Sequence, residues 1–285
     1  MPAQRILRTA QELLERLDDP DWTVVDCRFE LGDPEAGQRA YEAGHIPGAV
    51  FLDLDKDLAG PITAGSGRHP LPEPGALAAR FGDLGIDASQ HVLVYDAGPG
   101  ALAARAWWTF RWLGLDTVYL LDGGLGHWQT LGLPLSARVE GRRTATFKTT
   151  LREERVLGTA ELAANVDSIP HYKLLDARDA ARFRGEVEPI DPVAGHIPGT
   201  ISVPYADFVR ADGTWRPLDE RASLLEQAIG ADRSVDWSVM CGSGVTACHL
   251  AITGLEAGFR EPRLYVGSWS EWIQDPGRPV EAAKS

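Results

Sequence analysis

The chain repeats itself. Gly44-His45-Ile46-Pro47-Gly48 returns as Gly195-His196-Ile197-Pro198-Gly199, 151 positions on (196 − 45). In the same order Thr9-Ala10 matches Thr159-Ala160, Val25-Asp26-Cys27-Arg28 matches Leu175-Asp176-Ala177-Arg178, and Trp128 matches Trp272. A tandem duplication decides the architecture before any element is assigned, because each copy must bury its own core. The 285 residues therefore divide into a first domain over 1–140, a second over 156–285 and a linker over 141–155, within an Arg/Thr/Glu-rich stretch that has no apolar period.

Thr9 followed by Glu12 forms a capping box that opens a helix through Leu13, Leu14 and Leu17. Residues 22–26, 91–96 and 117–121 are short β-branched apolar runs without alternation, the pattern of strands buried on both faces. Helical patterns over 74–81, 101–113 and 125–131 separate them, the last two closed by Gly114 and Gly132. The second copy repeats the plan, with a helix from Thr159, strands over 173–176, 234–240 and 262–266, and helices over 221–229 and 244–257. Strands alternating with helices give an α/β fold in which each domain is a mostly parallel sheet flanked by helices. The tail from Asp275 reads as frayed.

A net charge of −13 with no run of Lys or Arg excludes nucleic acid and anionic membrane as partners, and an anionic ligand needs a local positive pocket. Three unevenly placed cysteines give neither a disulfide framework nor a zinc pair. The start of the chain lacks the charged and apolar regions of a leader, and no apolar stretch reaches the roughly 18 residues of a membrane span. The expectation is a soluble, cytoplasmic protein.

When the two glycine-rich turns are aligned, Val94-Tyr95-Asp96-Ala97-Gly98 faces Val239-Met240-Cys241-Gly242-Ser243 (241 − 96 = 145). A carboxylate in one copy stands where the other has a thiol. The fall in offset from 151 to 145 leaves six extra residues in the first copy, in a long loop around 58–72 of the kind that often carries function. Cys241 follows a strand and opens a helix, and Gly242 and Gly244 let successive backbone N–H groups converge at the helix's positive end. Such a cradle favours the thiolate, the nucleophilic form. Cys241 packing as a small hydrophobe is disfavoured because Gly242-Ser243-Gly244 offers little side chain for a core. Cys248, among Ala247, Leu250 and Ala251, and Cys27, at a strand end, are packing residues. Phosphoryl transfer through a Cys-x5-Arg loop is excluded, because the sixth residue after Cys241 is Ala247.

The paired His-Ile-Pro-Gly turns, the duplicated α/β halves, the Asp96-for-Cys241 replacement and the loop from Cys241 to Ala247 resemble the tandem rhodanese-type sulfurtransferases, over roughly Thr9 to Trp272. The resemblance implies two rhodanese-like domains. It implies that only the second is catalytic, that the site lies in the inter-domain cleft, and that Cys241 carries sulfur as a persulfide from a donor to a thiol or cyanide acceptor, a thioredoxin-like protein among the candidates. Small neutral residues after the cysteine are similar to the 3-mercaptopyruvate type, which places that donor ahead of thiosulfate. By the same likeness Ser243, His69 and Asp55 form a proton relay, Gly242, Gly244, Val245 and Thr246 line the substrate site, and Arg182 in Arg182-Phe183-Arg184-Gly185 binds the donor's carboxylate. A second carboxylate-binding arginine is missing, with Ile190 in its place, and Arg184 or Arg105 is left to compensate. No metal or organic cofactor is implied. A non-catalytic sulfur carrier or sensor built on Cys241 is the alternative.

The remaining recurrent residues read as structural. Asp26 with Arg28 and Asp176 with Arg178 are braces, His45 and His196 stabilise their turns, and Trp107, Trp108 and Trp112 belong to the core or the domain interface.

Overall fold

The computed structural model describes residues 5–139 and 141–282. Met1–Gln4, on which the reading of the leader rests, and the last three residues of the tail lie outside them. Ten strands form two sheets: β1 (Leu7–Arg8), β2 (Trp22–Asp26), β3 (Val50–Phe51), β4 (His91–Tyr95) and β5 (Val118–Leu121), then β6 (Val156–Leu157), β7 (Leu174–Asp176), β8 (Ile201–Ser202), β9 (Ser238–Met240) and β10 (Arg263–Tyr265). Every pairing is parallel, and the orders β1-β5-β4-β2-β3 and β6-β10-β9-β7-β8 are the same topology twice.

Alternation along each buried strand sorts its side chains onto two cores. In β4, Leu93 and Tyr95 face an outer core with Val24, Leu121 and Trp128, and in the second sheet Leu174, Met240 and Tyr265 face the corresponding core with Trp269 and Trp272. The other faces, Val25, Val92 and Val94 in the first sheet and Leu175, Val239 and Leu264 in the second, share one continuous core that crosses the domain boundary. At its centre the helices Ala103–Trp112 and Ala247–Glu256, which are 144 positions apart, pack on each other. The first is buried on every side, which accounts for its three tryptophans.

The braces recur as expected. Arg28 is bidentate to Asp26 and bonds Gly44 O at 2.8 Å; Arg178 does the same with Asp176 and Gly195 O, also at 2.8 Å. His45 Nδ1 bonds Tyr41 O and His196 Nδ1 bonds Phe183 O, each ring stacked on that aromatic neighbour. One reading is corrected. The tail is not frayed through its described residues: Glu281 exchanges two backbone bonds with His196, as Ser136 does with His45, so each copy ends by returning to its own turn. The linker is held against the first domain. The N–H groups of Ala145, Thr150 and Arg152 bond Gly82, Leu113 and Trp112 carbonyls, and Phe147 is buried against Phe81 and Phe110.

Side-chain pins cross between the domains. Trp215 donates its indole N–H to Pro99 O and its backbone N–H to Asp122. Glu256, at the end of the second buried helix, accepts the N–H groups of Ile6 and Leu7 and pairs with Arg221. Among the described residues no helix is long and apolar enough to cross a membrane. Glu256→Leu should destabilise the protein by about 3–5 kcal/mol, because Arg221 is left buried without its counter-charge. Urea unfolding of Glu256→Leu, alone and with Arg221→Met, tests this: the double variant should recover most of the loss, and a single variant as stable as the parent would remove the pin from the account.

Candidate active site

Both glycine-rich loops leave the central strand of their sheet and run into a buried helix, but they are completed differently. In the first copy, buried Asp96 fills its own loop. One carboxylate oxygen accepts N–H bonds from Gly98 (2.9 Å) and Gly100 (3.0 Å), the other from Leu102 (2.8 Å) and Ala103 (3.0 Å). Four amides on one carboxylate show what this backbone recognises: an anion at the position of the first side chain after the strand. In the second copy that side chain is Cys241. The N–H groups of residues 242–247 donate to no acceptor among the described residues.

The cysteine loop is fastened by other atoms, which leaves those donors available. Cys241 O and Gly242 O accept the N–H groups of Trp269 (3.0 Å) and Ser270 (2.8 Å), and the Cys241 N–H donates to Ser268 Oγ (3.1 Å). Ser268 sits at φ 51°, a left-handed conformation that its counterpart Gly124 adopts at φ 55° without a side-chain cost. The strain of roughly 1–2 kcal/mol is offset by the bond to Cys241 and by the Ser268 hydroxyl's bond to Tyr265 O. Gly244, at φ 72°, admits no side chain, since a Cβ there would lie 2.4 Å from Val266 O.

The first domain supplies the other wall. Its long loop is closed at the neck by the Gly60 N–H bond to Pro70 O and docks on the second domain through the Arg68 N–H bond to Ser270 Oγ (3.1 Å). His69 Nδ1 lies 2.8 Å from Ser243 Oγ, and His69 Nε2 lies 3.1 Å from an Asp55 carboxylate oxygen. Ser243, His69 and Asp55, drawn from two domains and two loops, thus stand in one file. Burial and the guanidinium groups of Arg105 and Arg68 push His69 down to about 3. The ring is therefore neutral, its contact with Asp55 is an N–H···O bond rather than an ion pair, and the tautomer assigned by these partners has Nε2 protonated and Nδ1 accepting from Ser243. Burial and the neighbouring Asp53 raise the Asp55 carboxyl.

Three arginines approach the cleft, each already engaged. Arg182 grips Glu188 with Nε and Nη2 and reaches Asp191 at 3.1 Å. Arg68 bonds the other Asp191 oxygen, and Arg178 lies 3.6 Å from Glu188. Arg68 and Arg182 both overhang Gly242, where a Cβ would meet them at 2.9 and 3.7 Å. Neither suggested substitute for the missing second arginine holds. Arg184 points outward to Glu186, and Arg105 is a buried strut that bonds the carbonyls of Gly244, Leu58 and His69, tying the cysteine loop to the first-domain loop. Arg68, not singled out by the sequence, stands beside Arg182 over Gly242 and reaches it from the opposite domain.

These residues line a cleft of about 490 Å³ between the domains, which Cys241, Gly242, Ser243, Val245 and Thr246 share with Arg68, His69 and Arg182. A larger cavity of about 590 Å³ lies elsewhere, around Glu161, Trp237 and Arg263, and its lining includes no cysteine or histidine. All three cysteines are buried, and of them Cys241 is the one that lines the cleft; burial raises the thiols of Cys27 and Cys248. Among the described residues no group of His, Cys, Asp and Glu is arranged to hold a metal ion.

Comparison with known proteins agrees with the duplicated fold. The model of the rhodanese-like domain matches twice, over residues 9–131 and 159–275. The chain belongs to the tandem-domain rhodanese family of sulfurtransferases. It is 50% identical over 279 residues to a probable 3-mercaptopyruvate sulfurtransferase of Pseudomonas aeruginosa, covering 96% of this chain and 97% of that one. It is 37% identical to the human 3-mercaptopyruvate sulfurtransferase, covering 94% of this chain and 92% of that one. The crystal structure of the 3-mercaptopyruvate sulfotransferase of Escherichia coli superimposes with a TM-score of 0.82 at 32% identity, over 94% of this chain and all of that one.

Sequence reasoning missed Arg68, Glu188, Asp191 and Ser268. Arg68 adjoins His69 in the extra loop and could have been found there; the others carry no local signal. Brief iodoacetamide treatment of the native protein should label Cys241 and spare Cys27 and Cys248, read by peptide mass mapping. Equal labelling of all three would show that the cleft does not single out Cys241. A second expectation follows from His69. Between about 3, its folded value, and its ordinary value of 6.5, the unfolded chain binds the extra proton, so stability rises with pH across that window. His69→Gln should flatten this rise by up to about 1.4 kcal/mol per pH unit, measured by denaturant unfolding from pH 4 to 7. An unchanged slope would mean that His69 is not held neutral.

Proposed function

We propose that the protein moves a sulfane sulfur from 3-mercaptopyruvate, with thiosulfate as a second donor, to a thiol or cyanide acceptor through a persulfide on Cys241. The observation that carries this reading is the conjunction in one cleft of Cys241, six backbone donors behind it and the Ser243-His69-Asp55 file in front. The names of the relatives support the donor.

Arg182 and Arg68 hold the donor's carboxylate over Gly242. The Cys241 thiolate attacks the donor's sulfur, the C–S bond breaks, and its electron pair leaves as the enolate of pyruvate. Cys–S⁻ and HS–CH2–CO–COO⁻ thereby become Cys–S–S⁻ and CH3–CO–COO⁻, and the only other change is a proton moved from sulfur to carbon. Ser243 and His69 carry that proton, with Asp55 orienting the ring; an imidazole held at about 3 releases it readily. The amides of residues 242–247 then stabilise the persulfide anion as those of the first copy stabilise Asp96. With thiosulfate the leaving group is sulfite, and no carbon needs protonating.

The acceptor's sulfur or carbon takes the outer sulfur in a second displacement. A small thiol, cyanide or a thioredoxin-like protein fits this step, whereas a chain of net charge −13 offers nothing to nucleic acid or an anionic membrane. Three unpaired cysteines support action in a reducing cytoplasm. The reaction as drawn uses no metal or organic cofactor.

Incubation with each donor followed by intact mass should show a gain of one sulfur, lost again on addition of cyanide with formation of thiocyanate. A stable adduct that never turns over supports the sulfur carrier instead. Cys241→Ser should lower turnover with both donors by at least about 10⁵-fold. His69→Ala should cost about 10²- to 10⁴-fold with 3-mercaptopyruvate and far less with thiosulfate. Equal losses with both donors would remove the relay from the mechanism.

A further inference from the structure

The cleft is lined by polar and charged groups, Glu30 and Asp179 as well as Arg68, Arg178, Arg182, His69 and Ser243, and by an apolar wall drawn from both domains: Phe29, Leu31, Leu54 and Leu102 from the first, Ile190 and Tyr205 from the second. Leu31 and Ile190 stand at its mouth 55% and 42% exposed, which leaves apolar surface facing water beside a nucleophile. 3-Mercaptopyruvate does not account for this wall. It has one methylene and seven non-hydrogen atoms, on the order of 200 Å³ even at the roughly 30 Å³ that a liquid water occupies. The cleft is about 490 Å³.

We infer that the apolar wall is a subsite for a hydrocarbon substituent on the sulfur donor, so that the protein accepts 2-oxo-3-mercapto acids carrying an alkyl group at C3, with Ile190 as the residue that sets this preference. The inference rests on the sulfurtransferase reading. The carboxylate binds at Arg182 and Arg68, the sulfur meets Cys241, and the substituent at C3, the carbon that bears the sulfur, turns to the wall formed by Leu31, Ile190 and Tyr205. The chemistry keeps its balance: the thiolate displaces carbon from sulfur, the substituted enolate leaves, and the thiol's proton returns to C3. Tyr205 adds a group of its own, since its phenol has no hydrogen-bond partner among the described residues and its ring packs edge-on against His249. A cation at position 190 would give the same wall a charge, favouring a small, doubly anchored donor over one with a hydrocarbon arm.

The test compares 3-mercaptopyruvate with its C3-methyl, C3-ethyl and C3-propyl homologues, reading kcat/KM from release of the 2-oxo acid and loading of Cys241 by intact mass. In the parent protein kcat/KM should rise along the series by up to about fourfold per methylene, as burial of each hydrocarbon unit predicts. Ile190→Arg should reverse the order, improving 3-mercaptopyruvate and lowering the C3-propyl donor by at least tenfold; Leu31→Ser should flatten the series without improving the parent donor. A steady fall in kcat/KM along the series, or the same profile in all three proteins, overturns the subsite while leaving sulfur transfer intact. Failure of every donor to load Cys241 overturns the sulfurtransferase reading itself, and the subsite with it.

Discussion

Everything in the site depends on where a short run of backbone N–H groups finds its acceptor. A strand that ends in a glycine-rich loop and a helix start leaves several amides without intrahelical partners, and buried amides demand satisfaction. The duplication poses that requirement twice and the protein answers it in two ways. Asp96 supplies a carboxylate from within and closes the matter; four bonds make the first loop a rigid, self-contained feature. Cys241 supplies only sulfur, and the N–H groups of residues 242–247 are left without an acceptor among the described residues. The same backbone plan is closed from within in one domain and left open toward the cleft in the other.

This division explains why the first domain is retained. Its loop brings Arg68 and His69 across the boundary, Asp55 stands behind His69, and Arg105 ties Leu58 and His69 to Gly244 through three carbonyls. A fully buried guanidinium that bonds neutral carbonyls through its two terminal nitrogens and leaves Nε without a partner among the described residues is costly unless its geometry is fixed, and the shared core around the two packed helices fixes it. Arg105 also lies close enough to Cys241 and Cys248 to interact with both sulfurs electrostatically. The strut therefore positions the two loops and contributes positive charge beside the nucleophile at once.

Much of this was legible in the sequence because duplication supplies an internal reference. Comparing Asp96 with Cys241 located the site, the shift in offset located the loop that carries His69, and the expected longer elements appear within two to four residues: strand 91–96 as His91–Tyr95, helix 101–113 as Ala103–Trp112, strand 234–240 as Ser238–Met240. What escaped had no local signature. β1, β3, β6 and β8 are two residues long, too short for any period, and exist only because a neighbouring strand offers a ladder. The left-handed Ser268 is indistinguishable in sequence from any serine, and the anchoring of the tail and linker is made by backbone atoms that composition does not reveal. Arg68 was passed over although it adjoins His69: the substitutes considered were Arg184 and Arg105, and only the fold shows that Arg105 is a buried strut while Arg68 overhangs Gly242.

The charges around the cleft follow a similar logic of prior satisfaction. In a chain of net charge −13 an exposed cluster of arginines would draw in any nearby carboxylate, and here those carboxylates are built in: Asp176 for Arg178, Glu188 for Arg182, Asp191 for Arg182 and Arg68 together. Because Asp191 gives one oxygen to an arginine of each domain, it sets the spacing of two guanidinium groups over Gly242 without using up their donors; Arg68 Nε is buried with no partner among the described residues. A carboxylate donor of the kind proposed above would meet arginines whose orientation has already been fixed, and would add bonds to the pair rather than assemble it. Three carboxylates set against three guanidinium groups leave this wall without net positive charge, so what it offers an anion is the fixed direction of its donors rather than an excess of charge.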